Sequence, residues 1–319
     1  MSLNEEKFFS ILKKINCFEK NPHVAVGVSG GPDSIALVFL VNKWIKLRNG
    51  KLTAIIFDHR IRDNSKNESF EVRTILKNLN INSVILRAQR NNLTKKNMSQ
   101  ARNNRLSGLI NFCKRKKILH LFLGHHYDDN IETYLIRKIN GSNFEGLGSM
   151  EELSYFNQIQ LLRPLLKIQK KSILTFNKKN NLVYLNDPSN KDLNYTRVKV
   201  RNFLESENYQ KLIRYDFLAI KKEMPFYRDM IWSYFLDTLS YAASNKLKID
   251  INKLLKLDKL IVERIILIGL KYFSLQNFRV RSAKIAIFID EIKKSNFKNF
   301  NLKSISIVKK DNFLVFSKK

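Results

Sequence analysis

Four short apolar runs alternate with helix-like patterns over the first two-thirds of this chain, and this alternation constrains the fold more than any other feature. The runs are HVAVGVS, KLTAIIFDH, SVILRAQ and LHLFLGHH, at residues 23–29, 51–59, 83–89 and 119–126. Helical patterns follow them at about 33–47, 66–78, 99–117 and 128–139. Apolar strands separated by helices of this length are typical of a parallel sheet with helices on both faces. We therefore predict an α/β fold.

The pattern changes after residue 140. A glycine-bearing loop leads to a hairpin-like segment, the run LLRPLL, a helix at about 169–180 and the loop NDPSN. From about residue 205 onward, long helical patterns rich in aromatic residues and lysine dominate, and the last residues predict two strands around Lys310, Asp311 and Asn312. We expect one domain over 1–205 and a smaller, mainly helical region with a closing hairpin over 206–319.

The stretch VGVSGGPDSIAL joins the first predicted strand to its helix. It has neither the Gly-Lys-Ser/Thr of a Walker A loop nor the G-x-G-x-x-G spacing of a dinucleotide site. Gly30 and Gly31 let backbone N–H groups face an anion, Ser29 and Ser34 add hydroxyl donors, and the helix adds its positive N-terminal end. Asp33 among such groups favours Mg²⁺ bridging phosphate oxygens. An ordinary capped strand–helix turn is the alternative.

A second group of polar residues, GHHYDDNIET, follows the fourth apolar run. Asp129 and Glu132 are three residues apart on the predicted helix and share a face near its start, with His125 and His126 before them. No cysteine or third well-spaced histidine accompanies the pair, so zinc is not indicated. Carboxylates at a helix start also serve as caps. At the same sheet edge as the glycine-rich loop, they favour a Mg²⁺–nucleotide role.

Two further pairs complete the candidate site. Asp58 and His59 end the second apolar run, and Arg102 and Arg105 lie one helical turn apart in QARNNRL. Paired arginines can clamp a phosphate or simply face solvent, and the sequence leaves both open. Right-handed crossovers place the loops after parallel strands along one sheet edge, where ligands of open α/β sheets bind.

The charge balance points to a polyanionic partner. Lys and Arg number 58 against 28 Asp and Glu, a net charge of +30, which favours nucleic acid over a membrane surface. Basic runs at 114–117, 170–171 and 178–179, with the lysines of the last third, could follow the phosphates of such a partner. Two isolated cysteines without a CxxC argue against a disulfide framework or a cysteine-held metal cluster.

The chain has neither a signal-peptide pattern at its start nor an apolar stretch long enough to span a bilayer. We therefore expect a soluble, cytoplasmic protein without a membrane partner. The sequence does not decide the oligomeric state, for which a dimer is the candidate we consider.

The motifs SGGPDS, FDHRIR, QARNNR, GHHYDDNIET, LLRPLL and NDPSN occur in the order seen in the tRNA(Ile)-lysidine synthases. These belong to the N-type ATP pyrophosphatases, or PP-loop proteins, and the resemblance covers roughly residues 24–204. Leu106 stands where an aromatic residue is usual, and Pro32 fills the variable loop position; neither removes a chemical group that the reaction needs. The resemblance implies an ATP-pyrophosphatase catalytic domain over 1–205 and a tRNA- or substrate-binding region over 206–319.

The resemblance further implies a ligase that joins free L-lysine to C2 of the wobble cytidine in a CAU-anticodon tRNA(Ile). ATP would be consumed, with Mg²⁺ as a cofactor. An adenylylated cytidine would form, and AMP and pyrophosphate would be released. The implied catalytic residues are Asp33, Asp129, Glu132 and Arg102, with Mg²⁺ on Asp33 and Asp129. The implied ATP-binding residues are Ser29, Gly30, Gly31, Pro32, Asp33, Ser34, Asp58, His59 and His125. Arg105, Arg197 and Arg201 would contact tRNA or phosphate, and Asn186, Asp187 and Asn190 would contact lysine or ATP.

Three alternatives were weighed against this function. A tRNA cytidine thiolase of the same superfamily needs cysteines or an iron–sulfur cluster, which two isolated cysteines do not supply. A small-molecule amidotransferase would not explain the basic surplus. A non-catalytic RNA-binding protein would have no use for Asp33, Asp129 and Glu132 together. The sequence does not name the general base for the lysine amine, for which His126 is the candidate we consider.

Overall fold

The structure is a computed structural model that describes residues 2–60, 65–88, 98–156, 158–185, 196–205, 207–273, 280, 282–294, 296–302 and 304–318. It divides into two compact units, Met1–Ile220 and Lys221–Lys319. The functional division at residue 205 expected from the sequence remains a prediction.

The first unit alternates strands and helices, as the apolar runs indicate. Its strands are β1 (His23–Val28), β2 (Lys51–Asp58), β3 (Ser83–Arg87), β4 (His120–Leu123), β5 (Leu153–Phe156) and β6 (Ile159–Leu162). Its helices are α1 (Glu5–Ile15), α2 (Pro32–Leu47), α3 (Ser65–Asn78), α4 (Met98–Arg115), α5 (Tyr127–Ile139), α6 (Phe144–Leu147), α7 (Lys170–Lys179) and α8 (Thr196–Phe203). The long helix α9 (Glu207–Thr238) contains the division between the units.

The strands of the first unit form a six-stranded sheet in the order β3-β2-β1-β4-β6-β5. Every neighbouring pair is parallel except β5 and β6, which form an antiparallel hairpin. Val26 of β1 lies between Ala54 of β2 and Phe122 of β4 in this register. The predicted α/β fold is therefore confirmed. Strand order reverses between β1 and β4, and ligands bind open sheets beyond the carboxyl ends of strands at such a reversal.

Apolar side chains of β1 pack on both faces of the sheet. Val24, Val26 and Val28 belong to one buried cluster with residues of α1, α2, α3 and α7, whereas Ala25 belongs to a second cluster with residues of α4. Successive strand residues point to opposite faces, so a strand covered on both sides is apolar throughout. This double burial fixes the strand ends, and with them the loops that carry polar residues.

The second unit contains a five-stranded antiparallel sheet in the order β7-β8-β11-β10-β9. Its strands are β7 (Leu239–Ala243), β8 (Lys246–Asp250), β9 (Asn299–Leu302), β10 (Ile305–Lys310) and β11 (Phe313–Lys318), and its helices are α10 (Ile251–Leu255), α11 (Lys259–Tyr272) and α12 (Ser282–Ile292). The predicted closing hairpin is confirmed as β10 and β11, with Lys310 opposite Phe313 and a positive φ of 51° at Asp311. The other three strands were not predicted.

Helices of the described residues include none that is both long and apolar enough to cross a membrane.

Candidate active site

A cavity of about 1760 Å³ opens beyond the carboxyl ends of β1, β2 and β4 in the first unit. Its walls come from the loop after β1, the end of β2, the start of α4, the loop after β4 and the beginnings of α7, α8 and α9. The reversal of strand order between β1 and β4 places the cavity where the sequence predicted a ligand site.

The loop after β1 is closed by the hydroxyl of Ser34. Its Oγ donates to the carbonyl of Gly31 at 2.9 Å and accepts from the backbone N–H of Ser29 at 3.2 Å. Gly30 has φ +87°, and a Cβ there would lie 2.4 Å from Cγ2 of Val72. Conformation and space both require glycine at this position. The loop thus keeps the tight shape that an anion-binding turn needs.

Residues outside the glycine-rich loop also hold it in place through hydrogen bonds. Pro32 is the first residue of α2, where a missing N–H costs nothing, and its carbonyl accepts from Nδ2 of Asn177 at 2.9 Å. The carbonyl of Gly30 accepts from the backbone of Leu185 at 2.9 Å. The side chain of Asn177, on α7, is fully buried. Sequence reasoning missed Asn177 because nothing in its helical pattern marks it.

His126 brings the two predicted magnesium ligands to one place. Its Nε2 lies 3.4 Å from a carboxylate oxygen of Asp129 and 3.8 Å from one of Asp33. His126 is also the N-cap of α5 and forms a capping box with Asp129. A Cβ on Gly124 would lie 3.2 Å from the backbone N of Ser34, so the loops after β4 and β1 are in close approach. Asp33 and Asp129 therefore face the same imidazole nitrogen from different loops.

The electrostatics of this cluster favour the ionised form of the Asp129 carboxylate. Burial opposes the charge of Asp129, but His126 and Arg197 hold its pKa below the usual value. Burial likewise opposes the charge of His126, yet the carboxylates of Asp128, Asp129 and Asp33 raise its pKa above the usual value. The three carboxylates therefore favour the protonated form of His126.

Lys170 is a member of the site that the sequence did not identify. Its Nζ lies 2.6 Å from both carboxylate oxygens of Asp33, and its backbone N–H donates to Asp128 at 2.7 Å. The sequence grouped Lys170 with Lys171 as a basic run for tRNA phosphates. The position of Lys170 shortly after LLRPLL could have marked it as a site residue. Helical periodicity alone, however, does not distinguish Lys170 from Lys171.

Two arginines of α8 contact the carboxylates of α5. Arg201 donates to both oxygens of Glu132, at 2.6 and 3.3 Å. Arg197 approaches Asp129 at 3.9 Å and donates to Oγ1 of Thr133 at 3.2 Å. Burial raises the pKa of Glu132, which is 3% exposed, while Arg201 opposes that rise. Glu132 thus has a fixed cationic partner, and Arg201 is held at the cavity wall.

The same cavity is also lined by Asp58, His59, Arg102, Arg105 and His125. Asp58 ends β2, is buried and accepts from the backbone of Arg60 at 2.9 Å, while His59 lies edge-on to Phe57. On α4, Arg102 is exposed and Arg105 is half-buried.

His125 stays neutral because burial lowers its pKa to about 3. Its Nδ1 is buried without a hydrogen-bond partner in the described part of the chain. The predicted contacts Asn186, Asp187 and Asn190 lie outside the described residues.

Two more arginines of the cavity were not assigned from the sequence. Arg163, from LLRPLL, donates to the carbonyl of Glu151 at 2.9 Å and to Oγ of Ser154 at 2.8 Å, and burial lowers its pKa to about 10. Arg214 of α9 approaches the carboxylate of Asp128 at 3.4 Å. Four carboxylates of the cavity thus each lie beside a lysine or an arginine: Asp33, Asp128, Asp129 and Glu132.

Comparison with known proteins agrees with the fold. A family model for the PP-loop domain matches residues 3–208, and such a domain implies ATP. The tRNA(Ile)-lysidine synthase of Orientia tsutsugamushi is 36% identical over 202 residues, covering 63% of this chain and 46% of that protein. The tRNA(Ile)-lysidine synthase of Wolbachia pipientis wMel is 31% identical over 296 residues, covering 91% and 69%.

A solved structure supports the fold alone: the U34-tRNA thiolase NcsA from Methanococcus maripaludis, with a TM-score of 0.57 and 22% identity over 68% of this chain and 76% of that one. The chain spans between about half and two-thirds of the length of the curated relatives given above. The matches to the PP-loop domain and to these relatives show that the chain belongs to the tRNA(Ile)-lysidine synthase family of PP-loop proteins.

Proposed function

We propose that this chain attaches lysine to C2 of the wobble cytidine in a CAU-anticodon tRNA(Ile), with ATP converted to AMP and pyrophosphate. One observation carries the proposal: Asp33 of the glycine-rich loop and Asp129 of α5 face the same nitrogen of His126, inside a cavity lined with arginines. Family membership supplies the substrate class, and the cavity supplies groups suited to its chemistry.

The first step is adenylylation, because the C2 oxygen of cytosine is a very poor leaving group. That oxygen attacks the α-phosphorus of ATP, an O–P bond forms, and the bond to the β-phosphate breaks. Pyrophosphate then leaves beside the loop of residues 29–34. Backbone N–H groups of the loop and the N-terminus of α2 offset its charge. This explains a loop shaped for phosphates that lacks a Walker lysine.

The donor set around His126 fits Mg²⁺. Within the described ranges no three His, Cys, Asp or Glu side chains form a metal cluster, so a cation there would need ligands from elsewhere. Mg²⁺ commonly takes one or two carboxylates together with phosphate oxygens and water. We assign Asp33 and Asp129 as its protein ligands. The ion would supply charge stabilisation at the reacting phosphate.

The arginines have separate roles in this proposal. Arg102 and Arg105 on α4, with Arg197 on α8, would contact the α-phosphate or the tRNA backbone. Arg201 is tied to Glu132 and would act from that fixed position. Guanidinium groups suit this task because their planar fork matches two phosphate oxygens at once.

In the second step the ε-amine of lysine attacks C2, a C–N bond forms, and the bond from C2 to the AMP oxygen breaks. The amine must lose a proton to attack. We do not assign His126 as the base, since its carboxylate neighbours raise its pKa. Asp58, His59 and His125 would contact ATP, and Asn186, Asp187 and Asn190 would contact lysine or ATP.

The surplus of basic residues would hold the tRNA. A net charge of +30 suits many phosphate contacts, with the C-terminal region contributing to them. With six to ten such contacts, tRNA affinity should fall by roughly 10³–10⁵ between 50 and 200 mM salt.

The substitution Asp33→Ala tests the proposal. It should abolish release of AMP from ATP in the presence of lysine and tRNA, while the affinity for tRNA stays within about twofold of wild type. Glu6→Ala, which removes an exposed carboxylate on α1, is the matched control and should leave both unchanged. Full turnover by Asp33→Ala would contradict the assignment of Asp33.

A further inference from the structure

Among the described residues, Lys170 makes the shortest contact of any cationic side chain with the glycine-rich loop of residues 29–34. Its Nζ is 2.6 Å from both oxygens of Asp33, with side-chain exposures of 34% for Lys170 and 23% for Asp33. Both oxygens of a proposed magnesium ligand are thus engaged by an ammonium group. The sequence grouped this lysine only with a basic run for tRNA phosphates, and the family comparisons assign it no role.

The position of Lys170 is fixed by the fold. Its backbone N–H donates to Asp128, at the start of α5, while α7 is anchored by Asn177 to the carbonyl of Pro32. Ile173 of α7 is fully buried in the core that also contains β1 and α2. The backbone is therefore held at the cavity, whereas the four-carbon side chain can turn to another partner.

Mg²⁺ on Asp33 would compete with the ammonium group for the carboxylate oxygens, because two cations at one carboxylate repel each other. Mg²⁺ arrives with the polyphosphate of ATP, whose oxygens are strong acceptors for a lysine ammonium. Since the backbone of Lys170 stays beside the loop, the displaced Nζ lies within reach of the phosphates that the loop would hold. Before that exchange, the ammonium offsets a carboxylate that would otherwise repel the incoming anion.

We infer that Lys170 is a phosphate-binding residue that holds Asp33 in the nucleotide-free chain and passes to the pyrophosphate part of ATP when Mg²⁺ takes the carboxylate. This inference rests on the proposed use of Mg²⁺ and ATP at this site.

The test compares Lys170→Met with Lys171→Met. Lys171 is exposed, carries the same charge and lies next to Lys170 on α7. Its carbonyl accepts a hydrogen bond from Oγ1 of Thr175 at 3.0 Å. Isothermal titration calorimetry measures the Kd for ATP with Mg²⁺ and the Kd for AMP. Electron paramagnetic resonance measures the binding of Mn²⁺ to the nucleotide-free protein.

Lys170→Met should weaken ATP binding by about tenfold or more, because a charge-assisted hydrogen bond to phosphate is lost. AMP binding should stay within about twofold of wild type, since AMP lacks the pyrophosphate part. Mn²⁺ should bind the nucleotide-free variant more tightly than it binds wild type, because Asp33 is released. Lys171→Met should match wild type in all three measurements.

Equal loss of ATP and AMP affinity, or ATP affinity equal to that of Lys171→Met, would overturn the inference, as would unchanged Mn²⁺ binding. If Lys170→Met gives too little folded protein, Lys170→Gln is measured against Lys171→Gln with the same expectations. None of these measurements uses tRNA or lysine. Their outcome is therefore separate from whether lysine is attached to tRNA.

Discussion

Nδ2 of Asn177 donates a 2.9 Å hydrogen bond to the carbonyl oxygen of Pro32, and this bond joins α7 to the first residue of α2. The side chain of Asn177 is fully buried, so water does not replace the bond if it is lost. Because Pro32 directly precedes Asp33, the hydrogen bond also fixes the start of the helix that carries the proposed magnesium ligand.

Replacing Asn177 with leucine should loosen the glycine-rich loop. The substitution removes one donor from the carbonyl of the half-buried Pro32, which should lower the free energy of unfolding by about 0.5–1.5 kcal/mol. Binding of ATP should also weaken at temperatures where the variant is folded. Urea denaturation and calorimetric titration measure the two effects. Wild-type ATP affinity in a destabilised variant would show that the bond stabilises the fold without shaping the loop.

Gly30 and Gly31 should respond differently to alanine. At Gly30, φ is +87° and a Cβ would lie 2.4 Å from Val72, so Gly30→Ala should cost about 1–3 kcal/mol of stability and weaken ATP binding. At Gly31, φ is −71° and the nearest atom to a Cβ is Oγ of Ser29 at 3.8 Å. Gly31→Ala should therefore change stability by less than about 0.5 kcal/mol. Equal melting temperatures for both variants would contradict the loop geometry.

Glu132 and Arg201 should behave as a coupled pair. Arg201→Met leaves the buried carboxylate of Glu132 without its partner and should lower stability by about 1–3 kcal/mol, less than for a fully buried pair because Arg201 is partly exposed. Glu132→Gln combined with Arg201→Met should cost less than the sum of the two single changes. A double-mutant cycle by urea denaturation checks this, and strict additivity would exclude the coupling.

The neutral state of His125 should make the fold sensitive to acid. In the unfolded chain His125 takes up a proton near pH 6.5, whereas burial lowers its pKa to about 3 in the folded chain. Stability contributed by the neutral ring is therefore present above pH 6.5 and is lost as the pH falls toward 3.

The substitution His125→Gln removes this titration. As the pH is lowered from 7 to 4, the free energy of unfolding of wild type should fall more than that of His125→Gln. Denaturation of metal-free protein at several pH values measures it. A difference that does not change with pH would contradict the neutral, buried ring.

Much of the first unit could be predicted from the sequence because buried parallel strands are apolar throughout. The runs that contain Val26, Ile55 and Phe122 are unambiguous for this reason, and their ends follow from the polar residues after them. In the second unit, β8 has a period-two pattern in which Leu247 and Ile249 are buried, but at five residues it is too short to stand out from the helical texture around it.

The site could be predicted in part. Asp33 and Asp129 were expected together because both follow the carboxyl ends of parallel strands, and those ends meet at one edge. Lys170 and Asn177 were not found, since they belong to a helix that follows the β5–β6 hairpin and reaches the loop only through tertiary packing. The pairing of Glu132 with Arg201 likewise depends on how α8 lies against α5.

Analysis of tRNA nucleosides by mass spectrometry tests the central claim most directly. The protein is incubated with a CAU-anticodon tRNA(Ile) transcript, ATP, Mg²⁺ and isotopically labelled lysine, and the digested tRNA is compared with that from an incubation without ATP. The account predicts one labelled lysine on the wobble cytidine, formed only with ATP and accompanied by equal amounts of AMP and pyrophosphate. An unmodified cytidine, or a cytidine that carries sulfur when a sulfur donor is supplied, would contradict it.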